Sequence, residues 1–241
     1  MQTKIFSALL LLSLCALPAF AEKPEEGFHN ESEAGVVIAS GNTRSQTYNL
    51  KQSNSYLWSE NSLKFNGKLL ESTAKGVESV RYWSLGLRYE RQLSESFSWF
   101  LAQAVESDIF AGFDPRYVSD VGVKYLILKT EELSWLGEAG YRYTNENRGN
   151  NVTVGQHYAR LYSEVTKEWS KSASSKLWLE LLPNFSSTDA YQINGEVSVS
   201  ALLTSIFSIK SAFLVKYNNG PAPGVTEKTD SLFTTSLVAK L

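Results

Sequence analysis

The sequence is poor in the residue types that most metal sites and many enzymes use. It has one cysteine, Cys15, and two histidines, His29 and His157. A single thiol excludes a disulfide within the chain and a zinc site built from several thiolates. Two histidines far apart in the sequence leave few options for histidine-based catalysis. We therefore expect no catalytic residue, no metal site and no cofactor.

Long apolar runs and a surplus of basic residues are also missing. Beyond the N-terminus no apolar run approaches the roughly 18 residues that a membrane-spanning helix requires. The chain has 23 Lys+Arg against 25 Asp+Glu, with a formal net charge of −2. A helical membrane protein and a nucleic-acid-binding protein are therefore excluded. With 43% hydrophobic residues, 12% aromatic residues and 6 prolines, the chain is not disordered and can form one sizeable β domain.

The N-terminus has the features of a secretory signal peptide. A lysine precedes an apolar run that is broken by a proline, and small residues form an A-x-A cleavage site that ends at Ala21. We predict a signal peptide over residues 1–21, a flexible charged lead over residues 22–33 and a β-barrel over residues 34–241. Cys15 lies within the signal, so the mature chain is expected to hold no cysteine.

Segments in which every second residue is apolar recur along the rest of the chain. In VRYWSLGLRYERQL, Trp83, Leu85 and Leu87 fall on one side of an extended strand. Ser84 and Arg88 fall on the other side. About twelve such segments follow one another, each bounded by turn residues. The pattern predicts an all-β fold, an antiparallel up-and-down barrel of about 12 strands.

The alternation by itself leaves a soluble and a membrane barrel open. In a soluble sandwich or a small soluble barrel, the apolar rows are buried inside. In a membrane barrel they face lipid, and the polar rows face the lumen. Two features favour the membrane barrel: the last residues alternate as an apolar closing strand, and aromatic residues cluster at strand ends. These aromatic residues are Trp58, Tyr89, Phe97, Tyr143, Trp169, Tyr191 and Tyr217.

The connections between the segments alternate in length, which also favours a membrane barrel. Short ones include SEN, LKTEE and SKSASS, and long ones include ESTAKGVES, DIFAGFDPRY and NENRGNNVTVG. An even number of strands places both chain ends on the side of the short connections. We therefore expect the short connections in the periplasm and the long ones outside the cell.

Four stretches of the sequence together resemble a known family. They are SGNTRSQTYNL, DIFAGFDPRYVSDVGVKYLI, EAGYRYTNE and YNNGPAPGVTEKTDSLFTTSLV, and the second has the spacing D-x-F-x-G-x-D-x-R. The family is that of salt-induced outer membrane proteins, also known as domain of unknown function 481. The resemblance covers nearly the whole mature chain. It implies a barrel of about twelve strands in the bacterial outer membrane, no established activity and, by name alone, a link to salt or osmotic stress.

The D-x-F-x-G-x-D-x-R segment is the candidate functional site. It places charged residues around a glycine turn with two phenylalanine anchors. One interpretation is a structural turn in which Arg116 pairs with Asp108 or Asp114. The other is a loop that folds over the external mouth, where Arg116, Asp120 and Lys124 form a charged constriction. The candidate residues are Asp108, Phe110, Gly112, Asp114, Arg116, Asp120 and Lys124.

The polar rows are expected to line the lumen with charges of both signs. A twelve-strand lumen lies between filled eight-strand barrels and open sixteen-strand porins, so a closed interior and a narrow aqueous path both stay open. The basic residues are Lys64, Lys68, Arg88, Lys124, Arg142, Arg160, Lys210 and Lys216. The acidic residues are Glu90, Glu106, Asp120, Glu138, Glu164, Glu168, Glu180 and Glu196.

The sequence thus predicts an outer-membrane barrel that is either a narrow pore or a structural component of the envelope. The alternative is a soluble periplasmic barrel that binds an apolar ligand inside. The expected partners are outer-membrane lipid and, during biogenesis, the barrel-assembly machinery, without nucleic acid. Leu85, Leu87, Leu179 and Val197 are predicted to face lipid.

Overall fold

The computed structural model describes residues 25–39, 45–148, 152–187 and 189–240. Within them lie twelve β-strands, and no helix there is long and apolar enough to cross a membrane. The predicted signal peptide and its cleavage site lie outside the described residues. The strands are β1 (Gly27–Ala39), β2 (Ser45–Trp58), β3 (Asn61–Ala74), β4 (Val77–Gln92), β5 (Phe97–Asp108), β6 (Phe113–Lys129), β7 (Leu133–Asn147), β8 (Thr153–Ser170), β9 (Ala173–Pro183), β10 (Tyr191–Leu202), β11 (Phe207–Asn218) and β12 (Thr229–Lys240).

The strands form one closed antiparallel barrel in which each strand pairs with its neighbours in the sequence. The barrel closes where β1 pairs with β12, from Glu31 opposite Lys240 to Ala34 opposite Leu237. Closure gives every strand two neighbours and so leaves no free edge strand, as a membrane interior requires. The predicted all-β fold and the count of twelve strands are confirmed.

The apolar rows face outward. Leu85, Leu87, Leu179 and Val197 expose 47%, 49%, 53% and 49% of their surface, as expected for side chains that meet lipid. The polar rows turn inward, where the charged side chains of Glu138 and others are buried. A soluble barrel would have the opposite arrangement. The alternative of a soluble barrel with an apolar interior is therefore wrong.

The first strand begins earlier than the sequence suggested. β1 starts at Gly27, so most of the segment that was expected to be a flexible lead, residues 22–33, belongs to the barrel wall. The alternation already runs through this segment, since Glu31, Glu33 and Gly35 fall on the opposite face from Ser32 and Ala34. The net of backbone hydrogen bonds to β2 and β12 holds this charged segment in place.

The two ends of the barrel differ in their connections. One end, called the turn end below, carries the start of β1, the end of β12 and the connections at residues 59–60, 93–96, 130–132, 171–172 and 203–206. The opposite end is called the loop end. Its connection between β3 and β4 has only two residues, 75 and 76, because these strands extend into the stretch that was expected to be a long loop. The longest described connection, between β11 and β12, also lies at the loop end.

One outward-facing region is polar. On β1 and β2 the side chain of Asn30 donates to Asn54 at 2.6 Å, and Ser32 donates to Gln52 at 2.7 Å. Gln52 in turn donates to Asn54 at 3.1 Å. Polar groups that face lipid lack water as a partner, so these four side chains satisfy one another.

Candidate pore-lining site

The motif segment forms a tight connection between β5 and β6 at the loop end. Asp108 ends β5, and its Oδ1 accepts a hydrogen bond from the backbone N–H of Ala111 at 3.0 Å. Gly112 has a φ of +86°, a left-handed conformation that favours glycine. Phe113 is buried, whereas Phe110 is 45% exposed, so only one of the two phenylalanines anchors the segment.

This connection meets the connection between β11 and β12 across the barrel opening. A Cβ added to Gly112 would lie 2.9 Å from the Cβ of Ala222 and 3.2 Å from a methyl group of Val225. Ala222 itself is only 6% exposed. In the ring of twelve strands these two connections lie on opposite sides. The motif segment therefore extends over the loop end of the lumen.

Arg116 pairs with Glu106, which the sequence placed in the lumen but not beside Arg116. Its Nε donates to Oε1 of Glu106 at 2.7 Å, and its guanidinium lies 3.8 Å from the ring centroid of Phe113. Arg116 and Glu106 are direct cross-strand neighbours on β6 and β5, which brings the two side chains together. The expected pairing of Arg116 with Asp108 or Asp114 is wrong, because Asp108 serves the turn and Asp114 is exposed.

Arg116, Asp120 and Lys124 do not form one ring. They follow one another every four residues on β6, which separates their Cα atoms by about 13 Å per step along the strand. Each has its own partners: Asp120 accepts from Arg142 at 2.7 Å, and Lys124 pairs with Glu90. The three motif charges therefore lie at three depths of the lumen.

The centre of the lumen holds a continuous set of ion pairs, the core network. Arg160 binds Glu138 at 2.6 Å and Glu180 at 2.7 Å. Arg88 donates to both carboxylate oxygens of Glu138, at 3.1 Å and 2.7 Å. Two-pronged pairs of this kind are stronger and more directional than single contacts. The core network comprises Arg88, Asp120, Glu138, Arg142, Arg160 and Glu180, from strands β4 to β9.

An aromatic ring and two glycines support the core network from the wall. Phe100 is 0% exposed and lies 3.8 Å from the guanidinium of Arg88. Its ring occupies the space over Gly122, where an added Cβ would lie 2.7 Å from Cζ of Phe100. Gly140 pairs with Gly122 and is equally crowded by the backbone of Val121. Gly122 leaves room for the ring, and the ring packs against one face of the Arg88 guanidinium.

A second ion cluster lies on the opposite wall, and the sequence had indicated only two of its members, Lys210 and Glu196. Glu33 binds Lys51 at 3.1 Å and Lys210 at 3.2 Å, and it is only 4% exposed. Lys210 also lies 3.7 Å from Glu196. Glu33 was assigned to the flexible lead, although the alternation around it would have placed it in a strand facing inward.

The turn end of the lumen opens into a vestibule. This cavity of about 640 Å³ is bounded on the turn side by Ser59 and Glu95 and reaches Arg88, Glu138 and Arg160. The core network therefore forms the inner boundary of the vestibule. Lys64, which is exposed, also lines it. The interior thus consists of an open charged cavity at one end and a charged, salt-bridged middle.

The two histidines do not form a catalytic arrangement. His157 faces outward on β8, where its Nδ1 contacts the hydroxyl of Tyr141 and its ring lies 5.0 Å from that of Tyr143. His29 contacts the backbone oxygen of Glu25 at 2.8 Å. The Tyr141–His157 contact lies on the outward face of the wall, away from the lumen, and His29 contacts a backbone oxygen.

A closed antiparallel barrel with lipid-matched apolar rows outside and paired charges inside defines a transmembrane β-barrel protein. A family model of proteins of unknown function, DUF481, matches residues 32–241. The chain therefore belongs to the DUF481 family, as its sequence motifs indicated. No curated protein matches it.

Solved structures with a similar fold include two outer-membrane proteins. The NanC porin superposes with a TM-score of 0.55 at 10% identity, over 88% of this chain and 98% of the porin. An outer membrane channel from Pseudomonas putida F1 superposes with a TM-score of 0.55 at 12% identity, over 94% of this chain and 100% of the channel. At such low identity the likeness extends to the fold alone.

Proposed function

We propose that the protein is an outer-membrane channel with a narrow, charged lumen. The observation that carries this proposal is the vestibule of about 640 Å³, which is open at the turn end and leads to the core network. A cavity lined by charges of both signs holds water and ions. The fold it shares with a porin and with an outer membrane channel supports the same proposal by analogy.

The channel is tested by planar-bilayer recording of the refolded mature chain. We expect small, discrete conductance steps, because the core network narrows the path. Heat-denatured protein from the same preparation serves as the control. A well-folded barrel that conducts no ions would contradict the channel and leave a structural role in the envelope.

We further propose that the chain is exported with a signal peptide cut after Ala21 and that the turn end faces the periplasm. The test uses single cysteines, since the only native one, Cys15, is removed with the signal. On intact cells, a maleimide that cannot cross membranes should label Glu227→Cys in the connection between β11 and β12. Lys171→Cys, in the turn between β8 and β9, should react only after lysis, and the reverse pattern would invert the orientation.

Two further proposals follow from the sequence. The protein is not an enzyme, a proposal that is supported by the fold it shares with a porin and an outer membrane channel. A role in salt stress rests on the family resemblance. Growth of a deletion strain across a range of salt concentrations tests it, with the restored gene as control.

A further inference from the structure

Most cations of the lumen wall have a carboxylate partner, and two near the loop end do not. Ion pairs engage Lys51, Arg88, Arg116, Lys124, Arg142, Arg160, Lys176 and Lys210. Within the described ranges, Lys68 and Lys216 have no carboxylate oxygen within 4.0 Å, the distance that defines an ion pair. Lys64, in the wide vestibule, shares this property.

Lys68 and Lys216 converge on one aromatic ring. The Nζ of Lys68 lies 5.3 Å from the ring centroid of Tyr82, and the Nζ of Lys216 lies 4.6 Å from it. Lys68 is on β3, beside Tyr82, whereas β11 is separated from β3 by β2, β1 and β12. The side chain of Lys216 therefore reaches across the lumen, so the path is narrow at this depth.

The position of Tyr82 is fixed by the motif arginine. The Tyr82 hydroxyl donates to Oε2 of Glu106 at 2.9 Å, and Arg116 holds Oε1 of the same carboxylate at 2.7 Å. Tyr82 is 9% exposed and the side chain of Glu106 is 14% exposed, so both are largely shielded from solvent. The nearby carboxylate is thus already engaged with an arginine and a hydroxyl. Among the described residues it forms no ion pair within 4.0 Å with either lysine.

An aromatic face attracts an ammonium group but does not neutralise it. Arg88 illustrates the difference, because it contacts the ring of Phe100 and also binds Glu138. Among the described residues, Lys68 and Lys216 have the ring contact and no ion pair within 4.0 Å. Two like charges that face one narrow space repel each other, and the repulsion is stronger there than in bulk water. An anion between them removes this repulsion, whereas a cation adds to it.

The next charges along the wall do not change this balance. Lys51 and Lys210 already bind Glu33 and Glu196 on the neighbouring strands. Asp230 lies opposite Lys216 in the register of β11 and β12, and among the described residues the two form no ion pair within 4.0 Å. Lys51 and Lys210 are themselves positive. The region between Tyr82 and the second ion cluster therefore presents positive charge to the lumen.

We propose that Lys68 and Lys216 form an anion-binding constriction over the ring of Tyr82. Its ligand is a small oxyanion, a phosphate or carboxylate group that accepts hydrogen bonds from both ammonium groups. Arg116 is a positioning residue of this site, because it holds Glu106 and thereby Tyr82. The binding of an anion does not depend on ion flow. Its consequence for conductance, a preference for anions, rests on the channel proposed above.

The first test measures binding in the refolded full-length mature chain, without reference to transport. Inorganic phosphate is titrated against the wild type and against the double variant Lys68→Gln/Lys216→Gln by calorimetry, with chloride as the background anion. The control Lys171→Gln/Lys240→Gln also removes two positive charges, but from exposed positions at the turn end. We expect the affinity for phosphate to fall at least about tenfold in the first variant and to stay unchanged in the control.

The second test measures the reversal potential of the same three proteins in a planar bilayer under a potassium chloride gradient. We expect an anion-selective wild type, a shift toward cations in Lys68→Gln/Lys216→Gln and no shift in the control. Phosphate that binds the wild type and the double variant equally would overturn the site. Phosphate binding that depends on the two lysines, in a barrel that passes no current, would uphold the site and overturn the channel.

Discussion

Single residues in this barrel owe their roles to partners on neighbouring strands. Arg116 is the clearest case, because it lies in the most specific stretch of the sequence yet contacts none of the acidic residues of that stretch. Its carboxylate partner, Glu106, lies opposite on β5 and also accepts the hydroxyl of Tyr82. The motif arginine thereby fixes the wall of the lumen as well as the connection beside it.

A first prediction at this scale concerns the outward row. Leu85 lies near the middle of β4 and faces lipid, so Leu85→Arg should lower the free energy of unfolding in lipid vesicles by about 2–4 kcal/mol. The guanidinium there loses water and gains no partner. Ser84→Arg is the matched control, because position 84 faces inward opposite Glu106. Urea unfolding in vesicles measures both, and a milder effect of Leu85→Arg than of Ser84→Arg would show that the facing is inverted.

A second prediction concerns the glycine beneath the Phe100 ring. Gly122→Ala places a methyl group 2.6 Å from the carbonyl oxygen of Ala139 and 2.7 Å from the ring. Overpacking of this kind costs about 1–3 kcal/mol of unfolding free energy. At Gly86, which also faces inward, the nearest atom would lie at 3.6 Å, an ordinary contact. Gly86→Ala should therefore be nearly neutral in the same unfolding assay, and equal effects would contradict the packing described.

At the scale of whole elements, the ion pairs of the core network connect strands β4 to β9, including strands that are not neighbours in the sheet. Arg160 on β8 reaches Glu138 on β7 and Glu180 on β9, and Glu138 reaches Arg88 on β4. The contact between Arg88 and Glu138 spans the two strands, β5 and β6, that lie between β4 and β7 in the sheet. The network therefore braces one side of the barrel and narrows its middle.

Removal of Arg160 should destabilise this side of the barrel. In Arg160→Ala, Glu138 keeps Arg88 and Glu180 keeps Arg142, but each buried carboxylate loses one charge-assisted hydrogen bond. The expected loss is about 1.5–3 kcal/mol of unfolding free energy. Lys176→Ala is the control, because its pair with Glu164 is more exposed and should contribute less than about 1 kcal/mol. Unfolding curves of both variants in one lipid decide the matter. Indistinguishable curves would mean that the network adds no net stability.

At the scale of the whole molecule, the loop end is closed in part by two connections that meet over the lumen. They belong to strands on opposite sides of the ring, and their contact at Gly112 and Ala222 joins segments distant in the sequence. Both connections lie in stretches that carry the family resemblance. The contact gives a structural reason for these two stretches to occur together.

A disulfide at this contact should lock the loop end. In Gly112→Cys/Ala222→Cys the two Cβ positions start 2.9 Å apart, and an outward shift of roughly 1 Å gives the spacing of a disulfide. We expect a lower conductance in the oxidised than in the reduced form of this one variant. Backbone strain from a non-glycine residue at position 112 is present in both the oxidised and the reduced form, so it does not affect their comparison. Equal conductance with the disulfide formed would show that the path bypasses this contact.

The sequence by itself determined the fold class, the strand count and the facing of the rows. These follow from a local rule, because successive side chains of a strand point to opposite faces. The position of Leu85 outside and of Ser84 inside needs no knowledge of any other strand. The family motifs likewise marked the segment from Asp108 to Lys124 as a candidate site, although they did not name its partners.

Only the tertiary structure decided which charges pair, where the lumen is narrow and which connections meet. Glu33 and Lys210 are 177 residues apart in the sequence and 3.2 Å apart in the barrel. Arg116 could reach several carboxylates, and the register of β5 against β6 selects Glu106. Barrel closure brings β11 across from β4 and so places Lys216 over Tyr82. Strand alternation is local, whereas ion pairs depend on register and closure, which fix distances between residues that no local pattern relates.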